Sequence, residues 1–384
     1  MLGVCIKYFH ENYGGMLQAF STVSMLERRG IDYELVRYEK DKGLGFAVRS
    51  VPRLFNGVLL NDKKEALVRK IGYKKHPDIA SLDALRMAMF ASFRDEKFRK
   101  LSPVFQGYEE LCRGADRYSA VMSGSDQLWS PAGLPTNFYN LMFVPDNVRK
   151  VSYASSFGVS AIPWYQRSRT ARYLSRIEFV SMRENRGAEI VQELTGREVP
   201  VVLDPVFNFD ADGWRSLLEI KCPTEEPYLL AYFLGANPES RAAVSEFAAK
   251  QGLKVVALRH MDQFVEADEN FGDEAPYEVG PKEFLEYLSG ASYVCTDSFH
   301  GTCFSVIFGR EFSVFNRYEE GAKISKNSRI DTLCKNLGLE SRRFRGSLVD
   351  VFGTPIDFAS VYSLLSTLKR QSDAYLNEAL EGIA

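Results

Sequence analysis

The stretch SGASYVCTDSFHGTCFSVIFGREFSV, residues 289–314, decides the fold. Its pattern predicts a strand, a sharp polar turn at 297–301, an apolar helix at 302–308 and a second strand at 312–315. His300 is thus expected where a strand gives way to a helix. Unpaired backbone N–H groups at a helix N-terminus bind anions, and the helix dipole favours them by roughly 0.3–1 kcal/mol. The dipole disfavours a cationic imidazole, so His300 should be neutral unless a phosphate or carboxylate lies beside it.

The beginning of the chain has the same strand–turn–helix pattern. A buried strand at 2–8 is followed by HENYGG, a helical segment at 16–29 and a second strand at 33–36. The glycine pair Gly14 and Gly15 opens the helix. This unit is similar to a nucleotide-binding unit but lacks the complete GxGxxG fingerprint. The glycines therefore predict either a close approach of the backbone to a ligand or a simple turn.

Polar side chains follow the predicted strands of the middle segment. The strand at 118–122 ends in SGSDQLW, which contains Asp126, and the strand at 179–182 ends at Arg183. A further strand at 199–203 ends in Asp-Pro. Ligands of open α/β sheets bind outside the carboxyl ends of the strands, so Asp126 and Arg183 are candidates for a site.

Two runs of strand–helix alternation predict an α/β fold with two doubly wound, Rossmann-like domains facing a cleft. A short linker at 223–227 separates the runs, and a long amphipathic helix is predicted at 358–380. We expect a first domain at 1–222, a second at 223–345, and a C-terminal helical segment at 346–384 that packs back on the first domain.

Composition excludes several classes of function. The 384 residues are 45% apolar and 26% charged with a net charge of −2, which argues against a nucleic-acid binder. Six scattered cysteines without a CxxC pair indicate reduced thiols, and no metal site is predicted. The chain starts with a strand and has no apolar run of about 20 residues. We therefore expect a cytoplasmic protein. The basic segment 40–75 is either a solvated surface or a rim that attracts an anionic membrane or acceptor.

Several segments, taken in order, resemble the polysaccharide pyruvyl transferase family: NYGGMLQAF, SGSDQLWSP, YASSFG, VSMRE, VLDPVF and EFLEYLSGASYVCTDSFHGTCFSVIFGREF. The resemblance implies a GT-B-like fold with the site between two Rossmann-like domains. It also implies transfer of a pyruvyl group from phosphoenolpyruvate to a sugar, usually as a cyclic ketal across two hydroxyls. One position departs from the family pattern, because Ser298 stands where an arginine is expected. Arg183 matches the strand-end arginine of the family, and Arg329 and Arg317 are the alternative sources of a second one.

The chemistry implied by the resemblance gives each candidate a role. Arginine forks suit the carboxylate and phosphate of phosphoenolpyruvate, and histidine suits proton transfer near neutral pH. We predict His300, Arg183 and Asp126 as catalytic: an acid/base or phosphate contact, a donor clamp, and a base or hydrogen-bond partner for the acceptor hydroxyl. The predicted substrate-binding residues are Asn12, Gly14, Gly15, Asp297, Ser298, Gly301 and Arg329. Structural readings compete for these: helix capping by Asn12 and Ser298, and a turn or the orientation of His300 for Asp297.

Two other functions fit the same pattern. The first is a GT-B glycosyltransferase that uses a sugar nucleotide, and the second is a non-catalytic saccharide-binding homologue. The favoured interpretation needs no cofactor beyond phosphoenolpyruvate as the donor substrate. Its expected partners are that donor and a nucleotide-linked or lipid-linked saccharide, with no nucleic acid and with peripheral contact with a membrane at most. The sequence leaves the acceptor sugar and the oligomeric state open.

Overall fold

The computed structural model describes residues 1–40, 76–133, 136–259, 265–317 and 328–383. Of the basic segment 40–75, only Lys40 belongs to the described residues, so the two interpretations of that segment fall outside them. No helix in the described ranges is long and apolar enough to cross a membrane.

The first half of the chain forms a six-stranded parallel sheet. Its strands are β1 (Leu2–Cys5), β2 (Tyr33–Glu39), β3 (Leu101–Gln106), β4 (Ala120–Ser123), β5 (Arg149–Ser155) and β6 (Phe179–Met182). They lie side by side in the order β3-β2-β1-β4-β5-β6, and every adjacent pair is parallel. This is the strand order of the dinucleotide-binding Rossmann sheet. The direction of winding reverses between β1 and β4, so a ligand crevice is expected outside the carboxyl ends of those two strands.

The helices described in this half connect successive strands or follow the sheet. They are α1 (Tyr13–Arg28), α2 (Pro77–Lys97), α3 (Gly107–Gly114), α4 (Arg167–Arg176), α5 (Asn185–Thr195) and α6 (Ala211–Leu218). The first helix is buried from Tyr13 to Leu26 and is capped by Asn12, whose Oδ1 accepts a 2.9 Å hydrogen bond from the Gly15 N–H. A side-chain cap of this kind fixes the point at which the chain turns from β1 into the helix.

The second half contains a four-stranded parallel sheet. Its strands are β7 (Tyr228–Tyr232), β8 (Lys254–Ala257), β9 (Tyr293–Thr296) and β10 (Glu311–Val314), in the order β10-β9-β7-β8. The accompanying helices are α7 (Pro238–Gln251), α8 (Pro281–Gly290), α9 (Phe299–Ile307), α10 (Ser328–Leu337), α11 (Leu348–Phe352) and α12 (Phe358–Ala379). Winding reverses between β7 and β9. The predicted α/β class with two Rossmann-like sheets, the GT-B-like architecture, is confirmed.

Two local predictions were wrong. Helix α9 begins at Phe299 rather than at residue 302, because the Ser298 hydroxyl caps it by accepting from the Gly301 N–H at 3.3 Å. The predicted strand at 199–203 is reduced to a bridge between Met182 and Val201, and the neighbouring proline has no N–H to extend the ladder.

The last helix contacts both halves of the chain. In the first half, the Ser372 hydroxyl accepts from the Leu203 N–H at 2.9 Å, and the Tyr375 hydroxyl donates to the Ser152 carbonyl at 2.7 Å. The Tyr362 hydroxyl donates to the Val306 carbonyl of α9 at 3.3 Å. One cluster of buried apolar side chains includes strand residues of both sheets together with the C-terminal end of α12. The two sheets therefore share an apolar core.

Candidate active site

The site forms where the N-termini of α1 and α9 meet. A Cβ placed on Gly14 would lie 2.0 Å from Nδ1 of His300, so only glycine leaves room for the imidazole at that position. Beside this contact, the Tyr13 hydroxyl donates to the Val279 carbonyl at 2.9 Å, and its ring stacks on Phe284 with centroids 4.6 Å apart. The switch point of the first sheet is thus brought against the strand end of the second, and two helix N-termini meet at one place.

His300 is 7% exposed and lies beside a carboxylate. Its Nε2 is 3.5 Å from Oδ2 of Asp204. Asp204 follows the bridge between Met182 and Val201, in the first half of the chain. That Oδ2 also accepts from Nη1 of Arg183 at 2.6 Å and from the Ser125 hydroxyl at 3.2 Å, while Oδ1 accepts from the Val206 N–H at 3.1 Å. A buried carboxylate, that of Asp204, therefore lies next to the imidazole.

Asp204 is an ionised group in a buried place. Burial alone would raise the pKa of its carboxyl, but the charges of His300 and Arg183, together with the hydrogen bond from Arg183, outweigh it and hold the pKa well below its usual range. A buried carboxylate is stable only where such partners compensate for lost hydration. Asp204 was not predicted as a site residue; its one sequence signal is the Asp-Pro pair at the end of a predicted strand.

Arg183 is a buried cation surrounded by carboxylates. Its side chain is 1% exposed, and besides Asp204 it approaches Asp126 (Nη2 to Oδ1, 3.7 Å) and Glu184 (Nε to Oε2, 3.9 Å). These two approaches are too long for hydrogen bonds, and Nε and Nη2 have no hydrogen-bond partner within the described ranges. Two arms of the guanidinium fork are therefore left for another group.

A second arginine, Arg329 from α10, lies next to the first. The Cζ atoms of Arg183 and Arg329 are 4.8 and 5.5 Å from the centroid of the Phe299 ring. Burial, followed by the charge of Arg183, lowers the pKa of Arg329 to about 10, so it stays cationic at neutral pH. Its Nε also has no hydrogen-bond partner among the residues that the structure describes. Arg329 is thus a second arginine close in space to Arg183, while position 298, where the resemblance implies an arginine, holds serine.

Asp126 lies at the rim of the crevice after β4. Its φ of 71° is in the left-handed region, an uncommon conformation that costs a residue other than glycine roughly 1–3 kcal/mol and that clusters at functional sites. Burial would raise its pKa, but Arg183, Lys7, His300 and Arg329 lower it to about 2. With a side chain 24% exposed, Asp126 presents an ionised carboxylate that solvent and ligands can reach.

Glu184 is a second site residue that the sequence did not single out. Its Oε1 accepts from the Ser156 hydroxyl at 2.9 Å, and its Oε2 has no partner in the described part of the chain. Burial raises the pKa of this carboxyl despite the nearby arginines. Glu184 and Asp126 therefore differ in their tendency to hold a proton, although both approach the same guanidinium.

The remaining predicted residues have structural contacts. The Asp297 oxygens accept from the N–H groups of Leu234 and Gly235, both at 2.7 Å, which ties the end of β9 to that of β7. The acidic partner of His300 is therefore Asp204 rather than Asp297.

Ser298 caps α9, and a Cβ on Gly301 would lie 2.7 Å from Thr296 Oγ1, so packing requires that glycine. Asn12 caps α1, and a Cβ on Gly15 would find its nearest neighbour at 3.6 Å. Arg317, the other alternative, lies beside Gly235 and Asp297.

Within the described ranges, no group of three or more histidine, cysteine, aspartate or glutamate side chains has the arrangement of a metal site. The charged groups that do come together are guanidinium groups, carboxylates and one imidazole. Their chemistry is that of anion binding and proton transfer.

A sequence model of a protein family described as polysaccharide pyruvyl transferase matches residues 12–318, most of the chain. No curated protein sequence matches significantly. Similar solved structures include S. aureus MnaA with UDP, at 10% identity and a TM-score of 0.49 over 99% of this chain and 95% of that one. The UDP-GlcNAc 2-epimerase from Neisseria meningitidis bound to UDP-GlcNAc has 9% identity and a TM-score of 0.47 over 100% and 94%. The glycosyltransferase SnogD from Streptomyces nogalater has 11% identity and a TM-score of 0.46 over 99% and 97%.

Proposed function

The chain belongs to the polysaccharide pyruvyl transferase family, and we propose that it transfers the pyruvyl group of phosphoenolpyruvate to a saccharide in surface polysaccharide assembly. The observation that carries the proposal is a concentration of buried polar atoms without hydrogen-bond partners among the described residues. They are Nε and Nη2 of Arg183, Nε of Arg329, Oε2 of Glu184 and Nε2 of His300. Buried polar groups are nearly always hydrogen-bonded, so such a cluster supports a polar ligand at this place.

The donors in this cluster fit a small dianion. Phosphoenolpyruvate carries a carboxylate and a phosphate, and planar guanidinium groups bind both through paired hydrogen bonds. Asp204 holds Arg183 through Nη1 and leaves Nε and Nη2 for the ligand. The N-termini of α1 and α9 add favourable dipoles. In the proposal, Arg183 and Arg329 bind the donor.

His300 is proposed to move the proton. An acceptor hydroxyl attacks C2 of phosphoenolpyruvate and gives its proton to the imidazole, while C3 of the double bond takes up a proton and becomes a methyl group. Cleavage of the C2–O bond then releases phosphate, and a second hydroxyl closes onto C2 to form the ketal. The two hydroxyl protons account for the one gained by C3 and the one released to phosphate or solvent. Asp204 keeps the imidazole oriented and stabilises its cationic form.

The acceptor is proposed to lie on the side of Asp126. This carboxylate is ionised at neutral pH and partly exposed at the switch point of the first sheet, where it can accept a hydrogen bond from a sugar hydroxyl. Asn12 stands exposed at the same strand-end region, with its Oδ1 engaged in the α1 cap. The first half of the chain would thus present the acceptor, and the second half would contribute His300 and Arg329.

The experiment is a donor and acceptor screen with the purified full chain. Phosphoenolpyruvate is incubated with a panel of free, nucleotide-linked and lipid-linked saccharides, and phosphate release is measured with and without each acceptor. Acceptor-dependent release, together with a new ketal methyl signal by NMR, is the expected result. Release of a nucleoside diphosphate from a sugar nucleotide, without use of phosphoenolpyruvate, would establish the glycosyltransferase alternative instead. Saccharide binding without turnover of any donor would establish the non-catalytic one.

Binding can be measured before an acceptor is known. A ligand present at 100 times its dissociation constant stabilises the folded state by roughly 2.7 kcal/mol. Phosphoenolpyruvate should therefore raise the melting temperature in a thermal-shift assay, and UDP-sugars should not.

A further inference from the structure

The ring of Phe299 contacts the main functional groups of the proposed donor site. The Cζ atoms of Arg183 and Arg329 lie 4.8 and 5.5 Å from its centroid. The imidazole of His300 lies edge-on, with ring centroids 5.2 Å apart and planes at 78°. Phe299 is the first residue of α9 and is 7% exposed. One aromatic side chain is thus shared by two cations and the imidazole.

The two guanidinium groups that share this ring carry like charges. Arg183 has carboxylates around it, but its charge contributes to the lowered pKa of Arg329, which shows that the two cations repel each other. The face of an aromatic ring carries negative potential, so it attracts a cation within about 6 Å of its centroid, more strongly when the cation is removed from water. Both guanidinium groups lie inside that distance.

We propose that Phe299 is a positioning residue that holds the guanidinium groups of Arg183 and Arg329 together at one anion site. Phe299 follows Ser298, the position where the family resemblance implies an arginine. Its ring instead contacts Arg329, which belongs to α10. The identity of the anion rests on the proposed function, because phosphoenolpyruvate is the donor proposed there. The shared ring itself rests on the distances alone.

The competing explanation is that Phe299 only fills space, since it also belongs to the apolar cluster shared by the two sheets. Fluorination of the ring separates the two roles. Fluorine atoms change the shape of phenylalanine little but withdraw electron density from its face, so each added fluorine weakens cation binding and leaves packing nearly unchanged.

The experiment replaces Phe299 with phenylalanines that carry one, two and three ring fluorines, in the full chain. Isothermal titration calorimetry then measures the affinity for phosphoenolpyruvate and for inorganic phosphate. We expect the dissociation constants to rise stepwise, by about tenfold across the series, which corresponds to about 1.4 kcal/mol. The matched control is the same series at Phe304 of the same helix, whose ring packs against the rings of Trp214 and Phe284. That series should leave both affinities unchanged.

Each outcome decides the question. Unchanged affinities across the Phe299 series, or equal losses in the Phe304 series, would overturn the positioning role. If the unmodified protein binds phosphate but not phosphoenolpyruvate, the proposed donor is refuted, while the series measured with phosphate still tests the ring. If it binds neither anion, the anion site and the role of Phe299 both fall.

Discussion

Oδ2 of Asp204 lies 3.5 Å from Nε2 of His300, and this approach joins the histidine of the second sheet to the first half of the chain. The same oxygen accepts from Arg183 at 2.6 Å. The imidazole and the guanidinium group, which are distant in sequence, are therefore held in register by one buried carboxylate. Anything that moves Asp204 disturbs both the proposed donor clamp and the proposed proton carrier.

Replacing the imidazole should lower the rate of turnover without abolishing donor binding. His300→Ala removes one acid/base group, which typically contributes about 10²–10⁴-fold to the rate. The measurement is acceptor-dependent phosphate release, with the thermal shift induced by phosphoenolpyruvate as the control for an intact donor site. Turnover equal to that of the unmodified protein would rule out the proposed role of His300.

The two adjacent glycines of α1 should respond differently to alanine. Gly14→Ala places a Cβ 2.0 Å from Nδ1 of His300, so the imidazole or the helix must move, and overpacking of this kind costs about 1–3 kcal/mol. Gly15→Ala meets its nearest atom at 3.6 Å and is the matched control, with a change near zero or slightly stabilising. Urea denaturation and initial rates report both effects. A Gly14→Ala protein with unchanged stability and activity would contradict the close approach of α1 to α9.

Arg329 should bind the donor through the paired hydrogen bonds of its guanidinium group as well as through its charge. Arg329→Met should weaken phosphoenolpyruvate binding by about 10–100-fold, since a hydrogen bond to a charged group contributes roughly 1.5–3 kcal/mol. Arg329→Lys keeps the charge and should recover only part of the affinity. Lys335→Met, an exposed change on the same helix, is the control and should bind normally. Calorimetric titration with phosphoenolpyruvate measures all three, and equal affinity in the Arg329→Met variant would exclude Arg329 from the donor site.

The stability of the folded protein should depend on pH through Asp204. Because the pKa of this carboxyl is lower in the folded chain than the ordinary value near 3.9, its stabilising contribution is present above that value and is lost as the pH falls further. Asp204→Asn removes the charge next to buried Arg183 and should destabilise the protein by about 3–5 kcal/mol at pH 7. Urea unfolding from pH 7 to pH 3 should show the difference from the unmodified protein shrinking in the acid range. A difference that is constant with pH would show that ionised Asp204 does not stabilise the fold.

The contribution of Glu184 to the pH dependence of stability should have the opposite sign to that of Asp204. Burial raises the pKa of its carboxyl in the folded state, so ionisation costs stability as the pH rises from the unfolded value towards the folded one. Glu184→Gln keeps the shape without the charge. It should therefore be more stable than the unmodified protein at pH 8, with the gain diminishing towards pH 4. Thermal unfolding at both pH values measures this, and a destabilised variant at pH 8 would refute the assignment.

The sequence predicted those parts of the site that follow from strand order. Gly14, Gly15 and Asp126 come after β1 and β4, and the winding rule for parallel sheets brings such strand ends together without any knowledge of side-chain packing. His300 was predicted for the same reason, and it follows the end of β9. The start of α9 was predicted at residue 302, but the Ser298 cap begins the helix at Phe299.

The partnership of Asp204 with His300 was not predictable in this way. It depends on how the two sheets approach each other, and no periodicity along the chain encodes that distance. Arg329 was predicted to bind substrate, but its nearness to Arg183 was not predicted, since it arises from α10 packing beside α9 and from the ring of Phe299. Glu184 had no signal beyond its position after a strand-end arginine.

The apolar cluster shared by both sheets has a consequence for how the protein melts. Leu2 and Val4 of β1 belong to the same cluster as Leu230 of β7 and Val294 of β9. Neither half can then lose its structure without wetting side chains of the other, so differential scanning calorimetry should record one endotherm rather than two. A fragment cut near residue 222 would also expose apolar side chains that the other half covers in the intact protein.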